Sequence, residues 1–210
     1  MSDPLDEDPV SALRRKWDQR HGAVAALPDP AAVLRENLHL LPARGAVLDL
    51  ACGLGANAVL LARQGLEVTA WDLSPVAIER VKGMAAALGL PITGEVRDIC
   101  AEPPRPQSFD CILVAHFLER SLLPALVAAL RPGGLLFYQT FSQEAVSGCG
   151  PSDPRFRLQT NELLRLCSGL TLRFYREEGR VGDPRRGTRD LVQLIAQRPG
   201  AGQGHGPVPT

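Results

Sequence analysis

The stretch Ala46-Val-Leu-Asp-Leu-Ala-Cys-Gly-Leu-Gly-Ala-Asn-Ala58 decides the fold of this chain. A short apolar run, interrupted by Asp49, ends in the closely spaced Gly53 and Gly55, and an apolar pattern of helical period begins at Ala56. This order predicts a strand, a tight turn and a helix. Glycines admit backbone angles closed to other residues, and the start of a helix offers unpaired N–H groups. The turn is therefore suited to hold a polar or anionic ligand close to the main chain.

The composition fits a globular protein and does not favour nucleic acid or membrane as a partner. The chain has 210 residues, of which 45% are hydrophobic, and a formal net charge of zero. Zero net charge gives no broad electrostatic attraction to a polyanion. No apolar run approaches the roughly 20 residues of a membrane span, and the acidic start of the chain does not have the pattern of a secretory signal.

The cysteines and histidines predict neither a disulfide framework nor a metal site. The five cysteines are scattered without a C-x-x-C pair, and the four histidines show no ligand spacing with them. We therefore expect free thiols in a reducing compartment, which means a cytoplasmic protein without a metal.

Strand-like runs alternate with helical patterns from residue 46 onward, which predicts a parallel sheet wound with helices. Two closing strands joined by a short connection can add as a hairpin. The expected fold is therefore α/β, a Rossmann-like doubly wound, mostly parallel seven-stranded sheet with a C-terminal antiparallel hairpin and an N-terminal helical cap. The predicted strands are 46–50, 67–72, 92–97, 109–115, 135–140, 171–176 and 190–197, and the predicted helices include 11–20, 31–41, 56–64, 75–88, 122–130 and one capped by Thr160. We expect one domain over residues 1–197, with 1–10 loose, the cap in 11–43 and a disordered tail in 198–210.

Chemistry-bearing residues follow several of the predicted strands. The first strand ends in the glycine turn, the second in Asp72, the third in Asp98 and the fourth in His116. In open parallel sheets, ligands bind beyond the carboxyl ends of the strands, and an acid about 20 residues past the turn is placed to accept from ribose hydroxyls. Taken one by one, Asp72 can also be a helix-start acid and Asp98 a turn residue.

Read in order, these segments resemble the successive motifs of class I S-adenosylmethionine-dependent methyltransferases. The resemblance runs from about residue 45 to residue 140, and the closing hairpin is also typical of that fold. Ala51 departs from the glycine that the family often has. A shorter resemblance, to the small-molecule methyltransferases of tellurite-resistance type, lies in Lys16-Trp-Asp-Gln-Arg-His21 and at Asn57. The motifs that carry the main resemblance are Leu48-Asp-Leu-Ala-Cys-Gly-Leu-Gly55, Trp71-Asp-Leu-Ser-Pro75, Arg97-Asp-Ile99, Phe109-Asp110 and Arg131-Pro-Gly-Gly134.

The resemblance implies S-adenosyl-L-methionine as cofactor and assigns each motif a part of it. Asp49 with the turn from Ala51 through Cys52 and Gly53 to Gly55 would hold the methionine portion. Asp72 would bind the ribose, Leu73 would pack on the adenine, and Asp98 with Ile99 would receive its edge. In the tellurite-resistance type an N-terminal segment closes over the cofactor, and Arg20 would then meet the cofactor carboxylate in a bidentate contact. Ala115 and His116 would border the transferred methyl group.

The acceptor is left open by the sequence, with a small molecule as the expected partner. A soft, ionised thiol or selenol needs no base, whereas an oxygen or nitrogen acceptor could use His116 as the general base. His116 can equally be a strand-end histidine satisfied by backbone. The segment 141–159 could be a substrate lid, although Arg155, Phe156 and Arg157 can equally be ordinary surface.

Two other classes explain part of the pattern. A nicotinamide-dependent oxidoreductase accounts for Gly53-x-Gly55-x-x-Ala58 and Asp72, but neither tyrosine has a lysine four residues later, as a tyrosine–lysine reductase pair requires. A binding or scaffold protein that keeps the fold without turnover is also open. Methylation of exocyclic amino groups in nucleic acid is disfavoured, because Val114-Ala-His-Phe117 stands where those enzymes carry Asn/Asp-Pro-Pro-aromatic.

Overall fold

The computed structural model describes residues 8–200. Its seven strands form one sheet in the order β3-β2-β1-β4-β5-β7-β6. The first five strands run parallel, and β7 is antiparallel to both β5 and β6. This confirms the predicted mostly parallel sheet with an antiparallel hairpin. The strands are β1 Ala46–Leu50, β2 Glu67–Asp72, β3 Ile92–Val96, β4 Phe109–Ala115, β5 Leu130–Phe141, β6 Thr171–Glu177 and β7 Leu191–Gln197.

Helices cover both faces of the sheet and bury an apolar layer on each. The first face carries side chains such as Leu34, Leu61 and Ile78, and the second carries Leu123 and Leu163, all fully or almost fully buried. The α-helices are α1 Pro9–Gly22, α2 Ala32–Arg35, α3 Ala56–Arg63, α4 Pro75–Leu88, α5 Leu123–Ala129 and α6 Glu162–Leu166. No helix within residues 8–200 is long and apolar enough to cross a membrane.

The predicted cap of α4 is confirmed. The Ser74 side chain accepts from the Ala77 N–H at 3.2 Å, Pro75 opens the helix, and Gly89 ends it in the left-handed region at φ 61°. This arrangement satisfies one orphan N–H group at the start of the helix and uses glycine where a side chain would be strained. The start of α4 therefore lies at a fixed place behind the end of β2.

Three local predictions were wrong. The helix predicted over 31–41 is the short α2 followed by a 3₁₀ turn, Leu38–Leu40, because the Asn37 amide bonds back to the Val33 carbonyl oxygen at 3.0 Å. Thr160 does not cap α6, since its hydroxyl donates to Glu144 and Asn161 takes the cap position. The fifth strand, predicted over 135–140, begins at Leu130, with a bulge in its pairing to β4 before Leu135.

Two of the resembling motifs lie at the amino ends of the strands and stabilise the sheet there. The Asp110 carboxylate accepts from the Ala46 N–H at 2.8 Å and pairs with Arg131 at 2.5 Å. A carboxylate that holds a backbone donor and a guanidinium ties the starts of β1 and β4 to the entry of β5. These residues lie at the amino ends of their strands, opposite the carboxyl edge considered next.

The terminal predictions fall partly outside the described residues. Residues 1–7 of the expected loose start and 201–210 of the expected tail lie outside the described range. Arg198 lies within it, and its backbone N–H donates to the Gly134 carbonyl oxygen at 2.8 Å. Residue 198 is therefore bonded to β5 and does not belong to a tail.

Candidate active site

The carboxyl ends of β1, β2 and β4 are neighbours at one edge of the sheet. The strand order reverses between β1 and β4, which is where open α/β sheets form their ligand crevice. The glycine turn follows β1, Asp72 ends β2, and His116 follows β4. The topology therefore brings the three sequence-predicted features to one crevice.

The glycine turn uses left-handed backbone at three positions. Gly53 and Gly55 have φ of 52° and 83°, and Ala51 has φ of 54°. A Cβ on Gly55 would lie 2.7 Å from Val81 Cγ2, so α4 packs directly against the turn. At Ala51, a left-handed alanine costs about 1–2 kcal/mol. The turn is thus built with one strained residue.

Asp72 fastens the glycine turn to the start of α4. One carboxylate oxygen accepts from the Gly53 N–H at 2.8 Å, and the other accepts from the Ser74 N–H at 2.9 Å. The residue is 7% exposed. Each oxygen keeps one further lone pair, so the carboxylate still has capacity for a hydroxyl donor.

Asp49 is a buried carboxylate without a partner among residues 8–200. It is 1% exposed, and neither oxygen has a partner at hydrogen-bond geometry. Burial raises its pKa to about 7, while the nearby Ala58 N–H and Asn57 amide draw it down less strongly and Asp72 raises it further. A buried unpaired carboxylate is costly, and such groups concentrate at functional sites.

Helix α1 lies against the start of α4 and over the glycine turn. The Ser74 hydroxyl donates to Asp18 at 2.5 Å, and a Cβ on Gly53 would lie 3.4 Å from His21 Cε1. Burial lowers the pKa of His21, and Asp72 opposes that effect. Arg20 is exposed and lies over the Trp17 ring, 5.5 Å from its centroid. Helix α1 therefore covers the glycine turn, with Arg20 on its exposed side.

The remaining predicted cofactor residues lie around the same edge. Asp98 Oδ1 accepts from the Cys100 and Ala101 N–H groups at 3.0 and 3.2 Å, so this acid does shape a turn. Ile99 is buried, whereas Leu73 and Ala115 are half-buried. Cys52 is buried beneath the turn, and burial raises its pKa, which keeps the thiol protonated.

His116 has a fixed backbone and a fixed ring environment. Its φ is 57°, its N–H donates to the Gln139 carbonyl oxygen at 2.8 Å, and its ring centroid lies 5.2 Å from that of Phe141. Its Nε2 lies 3.1 Å from Gln139 Nε2. Although the residue is exposed, partial burial of the ring lowers its pKa.

Two buried amides reach the site, of which sequence reasoning missed Gln139 and marked Asn57 only through a family resemblance. Asn57 Oδ1 accepts from the Ala31 N–H at 2.8 Å, and Gln139 Oε1 accepts from the Val33 N–H at 3.0 Å. Both therefore satisfy N–H groups at the start of α2 while their nitrogens face the site residues Asp49 and His116. Only the apolar setting of Gln139, inside a predicted strand, marked it as unusual in the sequence.

The segment 141–159 is held by arginines that the sequence alone left as surface. The Arg157 guanidinium donates to the carbonyl oxygens of Pro151, Ser142 and Cys149 at 2.7, 2.9 and 2.5 Å. Arg120 pairs with Glu162 at 2.5 Å and also donates to carbonyl oxygens of this segment. The interpretation of Arg157 as ordinary surface was wrong, since it organises the loop beside His116.

No three His, Cys, Asp or Glu side chains within residues 8–200 are grouped as a metal site would require.

Residues 47–134 match the sequence model of a methyltransferase domain. A ubiquinone biosynthesis O-methyltransferase of Methylocella silvestris is 32% identical over 197 residues, which cover 84% of this chain and 75% of that protein. The chain spans only 58% and 60% of further relatives of that name from Xylella fastidiosa and Xanthomonas axonopodis.

Solved structures share the fold. A SAM-dependent methyltransferase from Methanosarcina mazei has a TM-score of 0.62 at 20% identity, with 83% of this chain and 100% of that chain covered. TehB from Haemophilus influenzae has a TM-score of 0.64 at 20% identity, with 88% and 66% covered. The matched domain and the relative from Methylocella silvestris show that the chain belongs to the S-adenosylmethionine-dependent methyltransferase family and uses S-adenosylmethionine as its cofactor.

Proposed function

We propose that this chain transfers the methyl group of S-adenosylmethionine to an ionisable oxygen of a small-molecule acceptor. The observation that carries the cofactor part is the buried, unpartnered carboxylate of Asp49 behind the glycine turn. The oxygen acceptor is supported by the O-methyltransferases that the sequence resembles over most of its length.

Asp49 fits the cationic methionine end of the cofactor. Burial without a partner raises its pKa to about 7, and a cation placed next to it would restore the ionised form. Within the turn from Ala51 to Gly55, the left-handed Gly53 and Gly55 carry no side chain, so a ligand can approach the main chain closely there. These residues would hold the methionine portion, as the sequence predicted.

Asp72 and Asp98 would hold the nucleoside. Asp72 retains acceptor capacity beyond its two backbone bonds, which suits a ribose hydroxyl. Asp98 uses Oδ1 in its turn, which leaves Oδ2 for an adenine amino group, with Ile99 and Leu73 as the apolar surface beside it. Helix α1 would cover the cofactor, and Arg20 would reach its carboxylate by turning away from Trp17.

The protein's own part in the reaction is alignment and exclusion of water. When bound, the cofactor supplies a methyl group on a sulfonium, which is a good leaving group. His116, Phe141 and the loop ordered by Arg157 border the crevice at the end of β4 and would align the acceptor there.

A thiol or chalcogen acceptor is the second candidate. The observation that favours it is the contact between His116 Nε2 and the Gln139 amide, because a histidine engaged there is poorly placed to remove a proton. An acceptor that ionises by itself would need no such base.

Calorimetric titration with S-adenosylmethionine, S-adenosylhomocysteine and NADH tests the cofactor, and matched phenol and thiol acceptors then test the substrate class. Binding of both sulfur nucleotides and turnover of phenols would support the proposal. Turnover of thiols alone would replace oxygen with sulfur. Binding of NADH alone would mean that the glycine turn belongs to an oxidoreductase. If none of the three ligands bound, a scaffold protein without turnover would be favoured.

A further inference from the structure

Gln139 occupies a buried position from which it contacts the one histidine at the end of β4. The residue is 2% exposed and lies near the carboxyl end of β5, paired with Ala115 on one side and with Gln193 on the other. Its side chain is therefore held between the strand that leads to His116 and the hairpin strand β7.

The orientation of the Gln139 amide is fixed by its neighbours. Oε1 lies 3.0 Å from the Val33 backbone nitrogen, which can only donate, and 3.0 Å from Gln193 Nε2. Turning the amide over would place its NH₂ group against the Val33 N–H. The amide oxygen must face α2 and Gln193, so the amide nitrogen must face His116.

That orientation decides the protonation state of the imidazole. Gln139 Nε2 has two hydrogens to donate and lies 3.1 Å from His116 Nε2. The contact is a hydrogen bond only if His116 Nε2 is an unprotonated acceptor, which places the ring proton on Nδ1. A doubly protonated ring would set two donors against each other.

Further contacts position His116 at this place. Its backbone N–H is bonded to the Gln139 carbonyl oxygen, its φ is in the left-handed region, and its ring packs against Phe141. The Arg157 guanidinium lies over the same Phe141 ring, 5.6 Å from its centroid. Burial lowers the pKa of His116, which favours the neutral ring that the Gln139 contact requires.

We propose that Gln139 is a positioning residue that holds His116 as the neutral Nδ1–H tautomer, so that His116 donates to an already ionised acceptor and does not act as its base. In the reaction, the acceptor anion attacks the methyl carbon, the carbon–sulfur bond breaks, and its electron pair passes to sulfur. No proton is left for the protein to remove. The catalytic consequence rests on the proposed function, whereas the tautomer itself does not.

The tautomer can be measured by two-bond ¹H–¹⁵N correlation spectra of the full chain without cofactor, with His116→Asn to assign the signal. Wild type should show protonated Nδ1 and unprotonated Nε2. Gln139→Glu is close in shape but offers an acceptor, so the proton should move to Nε2 and the pKa of His116 should rise by at least about one unit. Gln193→Met is the matched control, because it removes a donor from the same amide without touching His116.

A wild-type ring protonated at Nε2 would overturn the proposal, as would an unchanged tautomer and pKa in Gln139→Glu. A change in Gln193→Met as large as that in Gln139→Glu would also overturn it. If Gln139→Glu does not fold, Gln139→Met serves, with loss of the Nδ1–H preference expected. In a series of acceptors of different acidity, the rising limb of the pH–rate profile should shift with the pKa of each acceptor. A limb that stays at the pKa of His116 for every acceptor would refute the donor role of His116. Failure of S-adenosylmethionine to bind would refute the proposed function and leave the tautomer result standing.

Discussion

Asp49→Asn should remove a large part of the pH dependence of stability. Asp49 is fully buried, and its pKa is raised from the ordinary 3.8 to about 7. The folded state therefore binds a proton that the unfolded state has lost, and this stabilisation is fully present below the unfolded pKa. It is lost as the pH rises through about 7. Since one pH unit corresponds to about 1.36 kcal/mol for one proton, the free energy of unfolding should fall by roughly 2–3 kcal/mol between about pH 5 and pH 8.

Urea unfolding of wild type and Asp49→Asn at these two pH values measures the effect. Any constant cost of placing an amide in the same pocket cancels when the two pH dependences are subtracted. The wild type should lose roughly 2–3 kcal/mol more than the variant over this range. Parallel pH dependences in the two proteins would refute the assignment of Asp49 as a buried, unpaired carboxylate.

The same residue predicts the pH dependence of cofactor binding. If the cofactor's cation binds ionised Asp49, affinity should rise about tenfold from pH 6 to pH 8, because the ionised fraction rises by about that factor across a pKa near 7. The rise should be absent in Asp49→Asn. Calorimetry at both pH values checks it, and a wild-type affinity independent of pH would contradict the proposed contact.

Three further substitutions test separate parts of the site. Asp72→Asn should weaken S-adenosylmethionine binding about tenfold or more in calorimetry while the domain stays folded. Asparagine is preferred to alanine here, because alanine would remove the acceptors of both the Gly53 and the Ser74 N–H groups. Ala51→Gly should raise the free energy of unfolding by up to about 1 kcal/mol in urea, because it relieves a left-handed alanine. Arg157→Met should speed hydrogen exchange and proteolysis of 142–157 and leave cofactor affinity unchanged, because three charged hydrogen bonds to loop carbonyls are lost.

Each of these has an outcome that would count against it. Unchanged cofactor affinity in folded Asp72→Asn would remove the ribose role. Destabilisation by Ala51→Gly would mean that the alanine methyl packs better than its backbone is strained. Wild-type loop protection in Arg157→Met would mean that Arg120 alone holds the segment.

Much of the fold could be predicted because its signals are local. The strand ending at Leu50, the turn at Gly53 and Gly55, and the Ser74 cap each depend on neighbouring residues, and all agree with the structure. The edge at which Asp72 and His116 meet also follows from sequence, since parallel strands place their carboxyl ends together.

The remaining features depend on partners distant in sequence. Gln139 bonds to Val33, 106 positions away, and Arg120 to Glu162, 42 positions away, so no local pattern reports either contact. The short α2 has distant partners too, because Asn57 and Gln139 accept from the Ala31 and Val33 N–H groups at its start. Arg157 looked like surface because arginine usually is, and only the folded loop shows its three carbonyl partners.

The insertion of β7 between β5 and β6 has a consequence for incomplete or cleaved copies of the chain. Both flanking strands make their pairing on that side with β7. A copy that ends before β7 would leave β6 without its partner strand, and the Leu135–Phe141 part of β5 would present unpaired N–H and C=O groups. Such a fragment would expose a sheet edge that another chain can pair with, whereas a copy that is only cut there keeps the pairing of β7 as its protection.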